Sequence, residues 1–175
     1  FYKDIINFLK NKELFLKILI SSIPVMIFGI ILVETNLINA LRNIKTIGWM
    51  TLVFGIILFI SDKFKLNKDL KKDFSFKTAI TIGFFQVLSL IPGVSRSGIT
   101  ITAARLLNFK RFDSAKISFL LSIPTLGAVS IFGVRNIIFS GDLNFSMLNL
   151  FSIFFSFIFS LITIKYFLDY IKTFS

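Results

Sequence analysis

The 175-residue chain carries 20 Lys and Arg against 9 Asp and Glu, has no His and no Cys, and is 55% hydrophobic. Only 17% of its residues are charged, against about 25% in ordinary soluble domains, and its mean hydropathy is +0.84. Surface-to-volume scaling leaves no core large enough to hide that apolar excess in a 20.0 kDa globule, which excludes a soluble single domain, and the missing imidazoles and thiols exclude Ser-His and Cys-His catalysis, disulfides and ordinary zinc sites. The net charge of +11 lies in the gaps between apolar runs, and most aromatics are Phe inside those runs. That pattern fits membrane flanks and gives no nucleic-acid partner. The 24 Phe read as compositional bias. Because the chain starts with Phe1 and shows no signal-peptide cleavage pattern, it is expected to be a fragment of something longer.

The first expected span is 14–33, interrupted by Lys17 and containing Pro24. The second is 44–61, whose apolar part, Ile47 to Ile60, has 14 residues; a bilayer needs about 20. It reaches if Lys45 and Lys63 snorkel or if the helix starts earlier, near Leu37. Next comes 79–107, where Pro92-Gly93-Val94-Ser95-Arg96-Ser97-Gly98 cuts an apolar stretch. Pro removes a donor and Gly permits a turn, so a helix should stop there, leaving a 92–98 loop. The arms Ala79 to Ile91 and Ile99 to Leu107, 13 and nine residues, reach about 20 and 14 Å, short of a bilayer core of about 30 Å. Spans 117–139, with Pro124, Gly127, Gly133 and Arg135, and 147–168, with Lys165, complete the chain.

Basic residues decide how 79–107 is threaded. Lys3, Lys10, Lys12 and Lys17 open the first span; Lys63, Lys65, Lys68, Lys71, Lys72 and Lys77 precede the first arm; Arg105, Lys110, Arg111 and Lys116 follow the second. The poorer loops hold Arg42 and Lys45, and Arg135. A re-entrant hairpin puts all the rich segments in the cytoplasm, whereas a single crossing sends the last of them outside. The expected fold is therefore an all-α integral membrane protein, with about four transmembrane helices and one re-entrant helical hairpin.

Non-helical backbone at membrane depth survives only where protein or water satisfies it, so the loop should line a cavity. Ser95 or Ser97 can N-cap the second arm, which turns the N–H groups of Gly98, Ile99 and Thr100 toward the tip. Arg96 adds a full positive charge with a fork that suits phosphate oxygens. No acidic residue of the chain is embedded near Arg96, so its partner is an anion or a carboxylate from elsewhere. The plain alternative is a loop at the water interface with Arg96 solvated and the serines only capping; the half-length arms and the charge parity favour the anion site. Thr100 and Thr102 are weaker candidates, since such hydroxyls often bond their own helix. Gln86 faces either the cavity or a neighbouring helix. The lysines of 63–77 attract anionic headgroups.

The stretch Gln86 to Ile101, with Pro-Gly-x-Ser-Arg-Ser-Gly-x-Thr at its centre, followed by Phe119-Leu120-Leu121-Ser122-Ile123-Pro124 and Gly127-Ala128, resembles the bacterial undecaprenyl-diphosphate phosphatase family of the bacitracin-resistance type. The rest resembles it more loosely, by hydropathy and by Ile164 to Leu168. The resemblance implies a multi-pass enzyme of the bacterial inner membrane, built as an inverted repeat, which hydrolyses an isoprenyl diphosphate lipid and renews the carrier of cell-wall precursors. It implies Arg96 and Ser95 as catalytic residues, and Ser97, Gly98, Thr100 and Gln86 as substrate-binding ones. The family's glutamate-rich stretch leading to Ser-Ser-Thr-Gly-His is absent from this sequence, and the resemblance implies that a last family helix is expected beyond Ser175. The fragment alone is expected to be inactive and to hold no metal; a divalent cation, Mg or Ca, belongs with the absent glutamates. Expected partners are the lipid, the membrane and a second copy in a homodimer. The competing class is an anion or lipid-phosphate transporter, a flippase included. A purely structural subunit leaves Arg96 unexplained, and acid-phosphatase-type lipid phosphatases require His.

Overall fold

The computed structural model describes residues 11–35, 41–63, 67–140 and 147–173; Lys3, Lys10, Leu37 and Lys65 of the sequence reading lie outside them. The described residues form α1 (Lys12–Glu34), α2 (Ile44–Asp62), the single turn α3 (Leu70–Asp73), α4 (Phe76–Val87) continuing as a 3-10 turn (Leu88–Leu90), α5 (Arg96–Leu106), α6 (Arg111–Ser140) and α7 (Met147–Thr173). Four of these, α1, α2, α6 and α7, are long and apolar enough to cross a membrane. The molecule is an all-α integral membrane protein. Each long helix outruns the apolar run that signalled it, because polar flanking residues continue the helix into the interface. Thus α6 starts at Arg111 and α7 reaches Thr173. Asn43, in extended conformation, accepts hydrogen bonds from the N–H groups of Lys45 and Thr46 at 2.8 and 3.1 Å. This cap starts α2 at Ile44, and its 19 residues reach about 28 Å by including Lys45 and Asp62.

Small residues let α4 lie directly on α1. Ser21 Oγ donates to Ala79 O at 2.6 Å, and a Cβ built on Gly83 would fall on the carbonyl oxygen of Ser21. The two helices run the same way: Lys17 Nζ donates to Phe74 O at 2.7 Å near the start of both, while Gly29 meets Leu90 farther along. Lys17, an interruption in the apolar run, thus ties α1 to the foot of α4.

From its tip the chain returns as α5, antiparallel to α6, with Arg96 beside Thr125 and Thr100 beside Ser118. The two feet of this helical hairpin meet. Lys68 N donates to Asn108 O at 3.0 Å and Lys110 N to Lys68 O at 3.1 Å, and the Phe74 and Phe109 rings pack edge to face at 6.2 Å. Asn108, at φ 77°, closes α5 with paired bonds from Asn108 N to Arg105 O and Phe109 N to Ala104 O, the turn that a left-handed residue permits. Lys110 Nζ donates to Asp69 Oδ1 at 2.7 Å. That hydrogen bond holds the Asp69 carboxyl below its usual range and raises Lys110, so both stay charged at neutral pH.

Arg105, one of the basic residues that follow the second arm, is only 4% exposed. Its Nη2 donates to the backbone oxygen of Asp62 at 2.8 Å and its Nη1 to Phe109 O at 3.2 Å. The Asp62 carboxylate also accepts two bonds from Arg111, Nε and Nη2 both at 2.8 Å, the fork geometry that makes Arg–carboxylate pairs strong. One acidic residue therefore clasps the end of α2 to the end of α5 and the start of α6. The buried core, including Ile18, Phe74, Ile82, Ala103, Phe109 and Ile117, lies around these feet. By contrast α7 touches the rest through contacts such as Phe119–Phe167 and leaves most of its apolar face exposed.

Candidate functional site at the hairpin tip

The break between the arms is shorter than the expected 92–98 loop. Ser95 is the N-cap and Arg96, Ser97 and Gly98 already form the first turn of α5, so of the two candidate caps the structure uses Ser95. Its Oγ accepts from Gly98 N at 3.2 Å, and Ile99 N donates to Ser95 O at 2.9 Å. This corrects the donor assignment: Gly98 and Ile99 are occupied, and the helix-start amides left over are those of Arg96 and Ser97. The turn before them is set by Gly93, at φ +98°, where a Cβ would stand 2.5 Å from Ile47 O. Thr51 Oγ1 donates to Gly93 O at 3.0 Å. The tip is thereby seated on α2.

Arg96 is half-buried, and its Nη1 donates to Thr125 Oγ1 at 2.9 Å. Among the described residues it forms no ion pair; Asp62 and Asp69 are engaged with Arg105, Arg111 and Lys110 at the feet. Ser95 and Ser97 are exposed, with their hydroxyls 3.3 Å apart. Arg96, Ser95, Ser97 and Gly98 thus come together on one helix start. Thr100 does not join them: it is buried, and its Oγ1 lies 2.7 Å from Ser118 Oγ and 2.9 Å from Arg96 O. Thr102 Oγ1 donates to Gly98 O at 2.8 Å, bonding its own helix as hydroxyls there do. Gln86, one element earlier, is fully buried, and neither amide atom has a partner among the described residues. An unpaired buried amide is costly, which marks Gln86 as more than packing.

Sequence reading did not single out Thr125 or Ser118. They stand seven apart on α6, two turns of one face, and that hydroxyl stripe was the available signal. Among the described residues no three of His, Cys, Asp and Glu come together, and the tip offers hydroxyls and a guanidinium, so the residues here do not fit a divalent cation. What the arrangement can do is hold an anion. A cation, two helix-start amides and two hydroxyls belong to the cap and first turn at the positive end of one helix. Replacing Ser95 by Ala removes the cap and is expected to cost about 1 kcal/mol in unfolding experiments, with Ser97→Ala close to neutral in the same measurement.

A multi-pass helical membrane protein with a hairpin tip built on a helix start is the class that the fold defines. The chain belongs to the family described as bacitracin resistance protein BacA, which it matches over residues 2–175. An undecaprenyl-diphosphatase of Pelagibacter ubique (strain HTCC1062) is 50% identical over 177 residues, 100% of this chain and 68% of that protein. Proteins of the same name from Jannaschia sp. (strain CCS1) and Thermosipho melanesiensis (strain DSM 12029 / CIP 104789 / BI429) are 42% and 41% identical over 71% and 77% of this chain. The matched parts are 47% and 54% of those two proteins.

Proposed function

We propose that the chain carries the phosphate-binding part of an undecaprenyl-diphosphatase of the bacterial inner membrane. The reaction adds water across the terminal phosphoanhydride of the lipid diphosphate, giving undecaprenyl phosphate and inorganic phosphate. The product renews the lipid carrier of cell-wall precursors. The observation that carries this reading is Arg96, half-buried at the tip of the hairpin without a carboxylate partner among the described residues. Its role is to grip the terminal phosphoryl oxygens and to stabilise charge that shifts during transfer, while the Arg96 and Ser97 amides and the Ser97 hydroxyl supply further donors. Ser95 holds the helix start in shape. Membrane and lipid are the partners of this reading. The intact protein, purified in detergent and given undecaprenyl diphosphate, should release phosphate and form the monophosphate; movement of the intact diphosphate across a vesicle membrane without phosphate release would favour a transporter instead.

The hairpin is re-entrant in this reading, with both feet cytoplasmic. The joined feet and the basic residues on either side support it. Single Cys residues at Asn67 and Lys110, labelled by a membrane-impermeant thiol reagent in cells and in inverted vesicles, should react from the same, cytoplasmic side. Reaction from opposite sides contradicts re-entrance.

A further inference from the structure

The contact between Arg96 and Thr125 joins the tip of the hairpin to the middle of α6 across 29 residues of sequence. Thr125 is itself buried, at 7% exposure, and its Oγ1 lies 2.9 Å from Leu121 O. The hydroxyl proton therefore goes to its own helix, and the lone pairs that remain accept from the guanidinium. An arginine has five N–H donors in a rigid plane. Fixing one of them against a buried hydroxyl orients the fork and leaves the others for a ligand. The chemistry of the holder matters as much as its place. A carboxylate here would orient Arg96 but neutralise it; a hydroxyl orients it and leaves the full charge.

We propose that Thr125 is the positioning residue of the phosphate site: it sets the plane of the Arg96 guanidinium through an uncharged hydrogen bond, so that the whole charge is presented to the terminal phosphate of an isoprenyl diphosphate. This rests on the reading of the tip as a phosphate site. Thr125 acts through Arg96 and touches no reacting atom.

The test uses the intact protein, with phosphate release from undecaprenyl diphosphate and binding of its non-hydrolysable methylene-bridged analogue measured on every variant. Thr125→Val keeps the shape and removes the acceptor; kcat should fall about tenfold, the order expected for one charge-assisted hydrogen bond, with a smaller change in KM. Thr125→Ser restores the hydroxyl and should recover most of the loss. Thr125→Asp should be worse than Thr125→Val and should weaken analogue binding further, because it pairs with the charge. In an Arg96→Lys background, Thr125→Val should change neither kcat nor analogue binding further, since the fork it orients is gone. Equal losses in both backgrounds, or a Val variant with normal kcat beside a crippled Arg96→Ala, would overturn the proposal while leaving the phosphate site standing. Normal turnover in Arg96→Ala would instead remove the phosphate site itself.

Discussion

Replacing Arg96 by Ala in the intact protein is expected to lower kcat by about 10²-fold or more, the scale seen when a preorganised charge-stabilising donor is lost. Lysine should restore little, because an ammonium cannot reproduce the planar fork that meets two phosphoryl oxygens at once. The fall should sit in kcat if Arg96 responds to charge that moves during transfer, and in KM if it only attracts the substrate. Steady-state phosphate release decides this, with expression level and melting temperature measured in parallel. The structure gives reason to expect a folded variant. The Arg96 side chain makes one hydrogen bond among the described residues, whereas strong ties of the hairpin lie at its feet. Turnover close to that of the unmodified protein in a well-folded Arg96→Ala would show that the loop is scaffolding.

The largest effect on stability should come from Gly83. Any side chain there meets the backbone oxygen of Ser21, which cannot swing aside as the end of a flexible side chain can. Gly83→Val must push α4 off α1 and break the 2.6 Å bond from Ser21 to Ala79 O. Overpacking plus one broken buried hydrogen bond should cost about 3 kcal/mol, read as a drop in melting temperature in detergent or as lost accumulation in the membrane. Gly55, with nothing within 4 Å of a Cβ, is the control. Gly55→Ala should be neutral or slightly stabilising, because Ala is the better helix former. If the two glycines behave alike, the tight α1–α4 contact is not a determinant of stability.

Why were the long helices legible and the site only partly so? Apolar runs interrupted by charge report membrane helices directly, since in lipid a backbone must bond within itself; α1, α2, α6 and α7 follow from hydropathy alone. Helix ends depend on caps. The Asn43 cap, and the choice of Ser95 over Ser97, turn on a single side chain finding a backbone N–H three residues on, and both serines could have done so. That choice moved Arg96 from a loop into the first turn of a helix and changed which amides are free. The partners of Arg96 and Thr100 were not legible, because the pairings with Thr125 and Ser118 bridge two helices and depend on their register. The place of Arg105 was not legible for a related reason: charge parity sorts a cation to one side of the membrane but does not say whether it is solvated or clasped against Asp62. Gln86 stood out as an amide in an apolar arm, and its burial bears on how much that amide matters, though not on what it bonds.

The joined feet turn the hairpin into a lever. The 11 residues of α5 extend about 16 Å from the clasp at Asp62 and Arg105 to the guanidinium-bearing turn. A tilt of about 4° at the base would then carry the tip through about 1 Å, a misplacement that can by itself cost about 10²-fold in rate. The ion pairs at the feet of the hairpin thus act as the fulcrum on which the aim of Arg96 depends.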